Sequence, residues 1–223
     1  MTTQESKWLN DRIGNFTASN IHKLMVSGKP KGNIFGDGAM TYIVEIVGEM
    51  LTGESKPDIS KIREIEWGNA HEQEAMAAYI ARTGKNVLYF GKGNPVFFPL
   101  LDLPAGGSPD GLIENKRVIE IKCPYDTANH VKNSILTLDG FKKERKNYYA
   151  QIQLNMIVTN VMTADFCSYD PRMLKDQHKL RILEIPLDME FCKNMIERIR
   201  MAAKLRDGIY NRMMALDKLR KAS

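Results

Sequence analysis

The sequence predicts an α/β fold: a single domain with a central mixed β-sheet flanked by helices, plus a long basic helix at the C-terminus. Three observations carry this. Apolar residues recur every three to four positions in several segments, which is helical spacing. Short runs rich in Val, Ile and Phe lie between those segments, chiefly over 86–122, and read as strands. The 223 residues are 43% hydrophobic and 26% charged, ordinary for a globular chain and enough for one large core without disulfide staples. Gly and Pro nowhere cluster as a linker, so one domain over 1–223 is expected, its core over about 8–186.

Taken in order, Thr17 or Ser19 caps a helix over 18–27 with Ala18, Ile21, Leu24 and Met25 as its apolar positions. The stretch SGKPKGNIFGDG (27–38) holds four glycines and one proline and reads as a long loop. A helix over 39–51 ends at the polar link TGESKPD. Residues 62–82 form a third helix, stopped before Thr83-Gly84. Strands follow at 86–90, 95–98, 105–113 and 117–122. Helices cover 127–136 and 146–159, and strands 164–170 and 180–185. The final helix, about 188–221, carries an apolar stripe of Met195, Ile199, Ala202, Leu205, Ile209 and Met213.

Charge and cysteine usage narrow the class. The net charge is +5, and residues 193–221 alone hold nine Lys/Arg against three Asp/Glu. A basic segment on a near-neutral body suits nucleic acid, through counterion release from phosphates. Charge alone leaves a solvated helix face equally open. Cys123, Cys167 and Cys192 form no C-x-x-C pair, which fits a reducing cytoplasm. The four histidines lack zinc spacing. No apolar run is long enough to span a membrane, and the polar start MTTQESKWLNDR is not a secretory signal.

The richest segment is GGSPDGLIENKRVIEIKCPY (106–125). Two alternating apolar stretches flank the turn Glu114-Asn115-Lys116, predicting a hairpin. Symmetry about Asn115 places Ile113 opposite Arg117, Leu112 opposite Val118 and Asp110 opposite Glu120. Opposed residues share a face with Cβ atoms about 5 Å apart. Glu120 and Lys122 share that face, while Ile119 and Ile121 take the other. Two carboxylates so close repel unless a cation sits between them. Oxygen-only ligation suits Mg²⁺ or Mn²⁺, and such an ion supports phosphodiester hydrolysis. Lys122 is placed to orient a water or to stabilise the transition state. It acts as a base only if its pKa is lowered. The plainer reading is an exposed salt bridge on a surface hairpin. A third carboxylate, Glu72, falls on the face of the helix over 62–82 that also carries Ile65, Met76 and Tyr79. A carboxylate on an apolar face needs an ion partner or a metal. Arg12 is suited to bidentate phosphate binding, beside a helix start at 17–19 that favours anions.

Together these residues resemble the PD-(D/E)xK nuclease superfamily, and more closely the phage lambda exonuclease group of viral recombination nucleases. The matching motifs are W-x3-R-x-G-x2-TAS at 8–19, WG-x3-E at 67–72, SPDG at 108–111, EIKCP at 120–124, Y-x-AQ-x-Q at 148–153 and YDPRM at 169–173. The resemblance implies a nuclease core that degrades the 5′-ended strand of linear duplex DNA and leaves a 3′ overhang for strand annealing. Mg²⁺ is the implied cofactor, two ions per site, with Mn²⁺ able to substitute. Also implied are a preference for 5′-phosphorylated ends, a homotrimeric ring, a phage single-strand annealing protein as partner, and a phage or prophage origin with action in the host cytoplasm.

By the same resemblance Asp110, Glu120, Glu72 and the Ile121 carbonyl hold metal, and Lys122 positions or activates the water. Gln151, with Gln153, supports the site or the DNA. Arg12, Ser19 and Ser108 take the 5′-phosphate. Lys31 is the DNA-contacting residue of the 27–38 loop, where the family prototype carries a strand-splitting arginine. A related nuclease of other polarity, an endonuclease and a non-enzymatic DNA-binding scaffold stay open.

Overall fold

The structure, a computed structural model, describes residues 2–29, 32–55, 62–113 and 116–222. Two sheets form the centre. β1 (Phe16–Thr17), β4 (Ala105–Gly107) and β3 (Phe98–Pro99) make a small sheet in the order β1-β4-β3. The larger sheet runs β2-β5-β6-β7-β8, from β2 (Leu88–Tyr89), β5 (Gly111–Ile113) and β6 (Arg117–Lys122) to β7 (Thr163–Tyr169) and β8 (Leu180–Pro186). β6 and β7 are parallel, and the other pairs in that sheet are antiparallel, so the sheet is mixed as predicted.

The hairpin register agrees with the sequence reading. Gly111 pairs with Ile119, Leu112 with Val118 and Ile113 with Arg117. The turn residues Glu114 and Asn115 themselves lie outside the described residues. The strand expected over 105–113 is two strands in two sheets. Pro109 has no N–H for a ladder, so pairing stops there. The break delivers Ser108 and Asp110 to the junction between the sheets.

Helices cover both faces of the larger sheet. α3 (Ile62–Thr83) buries Ala75, Met76 and Tyr79 against Ile119 and Ile121. Ile65, expected on that face, is instead 46% exposed and lines the cavity beside the sheet. On the opposite face α6 (Lys146–Thr159) packs Tyr149, Ile152 and Met156 against Val118 and Phe166. Leu154 on another side of α6 joins a second cluster with α2 (Asp37–Thr52) and α8 (Met189–Ala222). A helix apolar on every side is a buried helix. Gln153 and Asn155 of α6 are accordingly buried, while Gln151 is partly exposed.

The segment expected as a helix over 18–27 is a 3₁₀ helix, Ala18–Met25. Its buried residues Ala18, Ile21 and Leu24 are spaced by three, the 3₁₀ period. α1 (Thr3–Arg12) was not expected, since it fully buries no residue and shows no apolar stripe. Its signal is the capping box. Thr2 Oγ1 accepts from the Glu5 N–H at 3.1 Å and Glu5 Oε2 from the Thr2 N–H at 2.7 Å. α4 (Thr127–Ile135) was expected, whereas α5 (Leu138–Glu144) and α7 (Asp176–Lys179) are too short to show a period. The stripe of α8 packs through Met195, Ile199 and Ala202, but Leu205 and Met213 are exposed where the helix leaves the body. Among the described residues no helix is long and apolar enough to cross a membrane.

Candidate active site

The end of β6 meets the start of β5 at a cavity of about 600 Å³. Glu72, Asp110, Ile121 and Lys122 all line it. They arrive from three places: α3, the residue before β5, and the end of β6, which supplies both Ile121 and Lys122. Asp110 precedes β5, and its Oδ2 accepts from the Ile121 N–H at 2.6 Å. Glu72 comes from α3, and its Oε1 accepts from the Tyr89 hydroxyl at 2.9 Å. Gly91 makes room for that contact, because a Cβ there would stand 2.5 Å from Glu72 Oε1.

Glu120 sits behind the cavity wall, with no exposed surface. Its Oε1 accepts from Lys122 Nζ at 2.6 Å and from Gln151 Nε2 at 2.5 Å. Its Oε2 accepts from Asn155 Nδ2 at 2.9 Å. Gln151 and Asn155 are one helical turn apart on α6, hence on one face. Asn155 is the participant that sequence reading missed, and its spacing of four from Gln151 is the signal that marks it. Tyr148 is a second, with its ring 5.4 Å from Lys122 Nζ. Gln153 turns away. It donates to the Pro186 carbonyl at 3.0 Å and accepts from the Asp188 N–H at 2.8 Å, so its role is in the fold.

The electrostatics follow from this crowding. Burial pushes the Glu72 carboxyl up to about 7, and the Asp110 charge adds to the rise. Burial also raises Asp110, against the pull of Lys122 and the Ile121 N–H. Glu120 is raised chiefly by burial, with Asp110 and Glu72 adding and Lys122 opposing. Burial alone would lower Lys122, but Glu120 and Asp110 outweigh it and hold the ammonium protonated. A protonated ammonium at this position is suited to orienting a water or stabilising charge.

Three carboxylates share one ammonium, so the group lacks positive charge. Among the described residues no three His, Cys, Asp or Glu side chains stand ready to enclose an ion by themselves. A magnesium-type ion asks for less, taking one or two carboxylates and keeping its waters. Glu72 and Asp110 line the cavity with carboxylate oxygens, a donor type that fits such an ion, and Ile121 lines it beside them. Glu120 already holds three hydrogen bonds, which leaves it little free lone-pair capacity.

The residues predicted for the 5′-phosphate form a neighbouring group. Arg12 lies over the Trp8 ring at 4.3 Å and has no hydrogen bond or ion pair among the described residues. Trp8 Nε1 donates to Ser108 Oγ at 2.8 Å, which ties this group to the segment carrying Asp110. Ser19 Oγ is 3.2 Å from Thr17 Oγ1, and the Thr17 N–H donates to the Tyr42 hydroxyl at 2.9 Å. Lys31 lies outside the described residues. The YDPRM motif braces α3 rather than entering the cavity. Asp170 holds Arg172 at 2.8 Å, and Arg172 lies 4.3 Å over the Trp67 ring.

The model of the YqaJ-like viral recombinase domain matches residues 7–162. The chain belongs to that family. As a YqaJ-like viral recombinase, it resembles solved alkaline exonucleases throughout its length. The crystal structure of LHK-Exo in complex with dAMP superposes with a TM-score of 0.79 at 25% identity, covering 98% of this chain and 100% of that one. The alkaline exonuclease LHK-Exo from Laribacter hongkongensis, in a second structure, gives 0.78 at 25% identity, covering 98% of this chain and 100% of that one. A phage-related exonuclease from Haemophilus somnus 129PT gives 0.71 at 19% identity over 89% of this chain and 96% of that one, a likeness of fold. No curated protein sequence matches the chain. The fold of this YqaJ-like chain is that of the alkaline exonucleases.

Proposed function

We propose that this chain is a Mg²⁺-dependent exonuclease that degrades the 5′-ended strand of linear duplex DNA and leaves a 3′ overhang. Glu72, Asp110 and Lys122 at one cavity, with Glu120 behind its wall and bonded to Lys122, support it most directly. Glu72, Asp110 and the Ile121 carbonyl would hold the metal, with Glu120 behind them. Bound there, a divalent ion supplies a nucleophilic hydroxide and neutralises charge on the phosphodiester. Lys122, kept protonated by Glu120, offers its N–H groups to the attacked phosphate or the attacking water. Gln151 and Asn155 hold the Glu120 carboxylate in one orientation, and Glu120 in turn sets the position of Lys122.

Arg12 is assigned to the 5′-phosphate, with Ser19 and Ser108 beside it. The Arg12 guanidinium, stacked on Trp8 and near enough to Glu49 to feel its charge, is in no ion pair among the described residues and is suited to an oxyanion. From the family resemblance come a homotrimeric ring, which light scattering would measure, and a single-strand annealing protein as partner.

The decisive experiment is a time course on linear duplex labelled separately at each end, with and without Mg²⁺. Release from the 5′ label first, only with metal, is expected. Release from the 3′ label first, or cleavage of closed circles, overturns the polarity or the end requirement. Asp110→Ala and Lys122→Ala should each abolish release, and full activity in both would overturn the site. Arg12→Ala should slow 5′-phosphorylated ends about tenfold and 5′-hydroxyl ends little.

A further inference from the structure

Arg145 lines the same cavity as Glu72, Asp110 and Lys122. It stands at the start of α6, and its side chain is held by a chain of buried groups. Its Nε donates to Asn133 Oδ1 at 2.6 Å, and Asn133 Nδ2 donates to Ser168 Oγ at 3.2 Å. Ser168 Oγ is 3.0 Å from His130 Nδ1, and His130 Nε2 is 2.8 Å from the His178 carbonyl oxygen. A carbonyl only accepts, so Nε2 carries the hydrogen and Nδ1 accepts from the Ser168 hydroxyl. Every link then has one donor and one acceptor, and Asn133 is oriented with its oxygen toward the arginine. His130, Asn133 and Ser168 are all buried.

Fixing a long arginine side chain this firmly is entropically costly. With Nε held by Asn133 and Nη2 closed to solvent, Nη1 is the guanidinium nitrogen left open, and it has no hydrogen-bond partner among the described residues. Charge makes the same point. The lining includes the acids Glu64, Glu72, Asp110, Asp126 and Glu144, and its cations are Lys122 and Arg145. Lys122 is ion-paired with Glu120, its charge already offset by that carboxylate. Arg145 is the cation lining the cavity that forms no ion pair among the described residues. A polyanionic strand entering this acidic cavity needs such a group.

We propose that Arg145 is the phosphate clamp of this cavity. Its guanidinium binds a non-bridging oxygen of one internucleotide phosphodiester in the strand held there, and so sets the register of the linkage to be cut. The assignment rests on the reading of the cavity as a phosphodiester-hydrolysing site. Asn133 is its positioning residue.

The test uses the full chain and linear duplexes bearing a single uncharged methylphosphonate at the first, second or third linkage from the 5′ end. Affinity is measured in Ca²⁺ and hydrolysis in Mg²⁺, for the wild-type chain, Arg145→Ala and Arg145→Lys. Arg145→Ala should weaken binding of the unmodified duplex about 10–100-fold, and Arg145→Lys less. At one linkage the methylphosphonate should cost the wild-type chain a similar factor and Arg145→Ala no more than about twofold. At the other linkages both proteins should respond alike. A parallel response at all three positions, or unchanged affinity in Arg145→Ala, overturns the clamp. Circular dichroism checks folding, and Arg145→Gln, which keeps an N–H donor for Asn133, replaces the alanine variant if that unfolds. A wild-type chain that neither binds duplex nor releases nucleotides overturns the exonuclease reading itself. A wild-type chain that does both, with a parallel methylphosphonate series, overturns Arg145 alone.

Discussion

Asn155 Nδ2 lies 2.9 Å from Glu120 Oε2, and both residues are closed to solvent. A buried carboxylate is tolerated only when its oxygens are occupied, and Asn155 occupies one of them. The contact also crosses from helix to sheet, so it fixes α6 over the end of β6. Asn155→Ala is expected to cost about 1–3 kcal/mol in urea unfolding, because it leaves a buried acceptor unpaired. Asn155→Asp should be worse, since it sets a second negative charge against Glu120. Gly107→Ala should act in the same direction, because its Cβ would meet Asn155 Oδ1 at 2.1 Å. Nuclease rates should fall in all three. Wild-type stability in Asn155→Ala would show that Glu120 does not need this partner.

Tyr89 supports Glu72 from the cavity's other side through a 2.9 Å hydrogen bond. Tyr89→Phe keeps the ring and removes only the donor. The fold should hold to within about 1 kcal/mol. The Mg²⁺ concentration for half-maximal nuclease rate should rise about tenfold, as when a group behind a metal ligand is lost. A Mg²⁺ titration checks this, and an unchanged midpoint would remove Glu72 from the metal set.

Arg198 on α8 donates to the backbone carbonyls of Leu24, Val26 and Ile34. Arg206 likewise reaches the Gly14 carbonyl at 2.6 Å. Part of the basic character of α8 is thus used to tie down loops near the N-terminus, not presented to a phosphate backbone. Arg198→Ala should lower unfolding free energy by about 1–3 kcal/mol and raise amide exchange over 24–29 and 32–36. If the variant lowers only DNA affinity, with stability and exchange unchanged, Arg198 belongs to the DNA surface instead.

Asp188 starts α8. Its carboxylate accepts from the Phe191 N–H at 3.1 Å, the Tyr149 hydroxyl at 2.8 Å and Lys142 Nζ at 3.2 Å. The Phe191 N–H and then the Tyr149 hydroxyl hold its pKa below the usual value. A depressed pKa means the unfolded chain takes up the proton first. The contribution is full above the unfolded pKa of about 4 and is lost as pH falls through the folded value. Asp188→Asn should cost about 1 kcal/mol at pH 7 and progressively less below pH 4. Unfolding at pH 7, 4 and 3 checks this, and a constant difference across that range would refute it.

The hairpin register was legible because two alternating stretches flank one short turn, and alternation allows no one-residue slip without burying polar side chains. Glu72 was legible as a carboxylate that contradicted the helix pattern around it. The capping box of α1 was present but carried no apolar stripe to draw attention to it. Asn155 was opaque for another reason. Its spacing of four from Gln151 puts the two on one face, but only the packing shows that Asn155 is buried there, and a buried polar residue has a different meaning from an exposed one.

Local chemistry along the chain was enough to specify most of the longer strands and helices, the hairpin register from Gly111–Ile119 to Ile113–Arg117, and the motif order that places the chain in its family, because alternation, capping and turn residues act over a few positions. Which groups share the cavity was settled by packing. Glu72 and Asp110 are 38 positions apart in the chain, yet both line it, and Arg145 joins them because α6 crosses the sheet above β6. Distance along a chain carries no information about distance in space until the core closes. The protonation of Lys122 and the unpaired edge of Arg145 depend on neighbours that arrive only then.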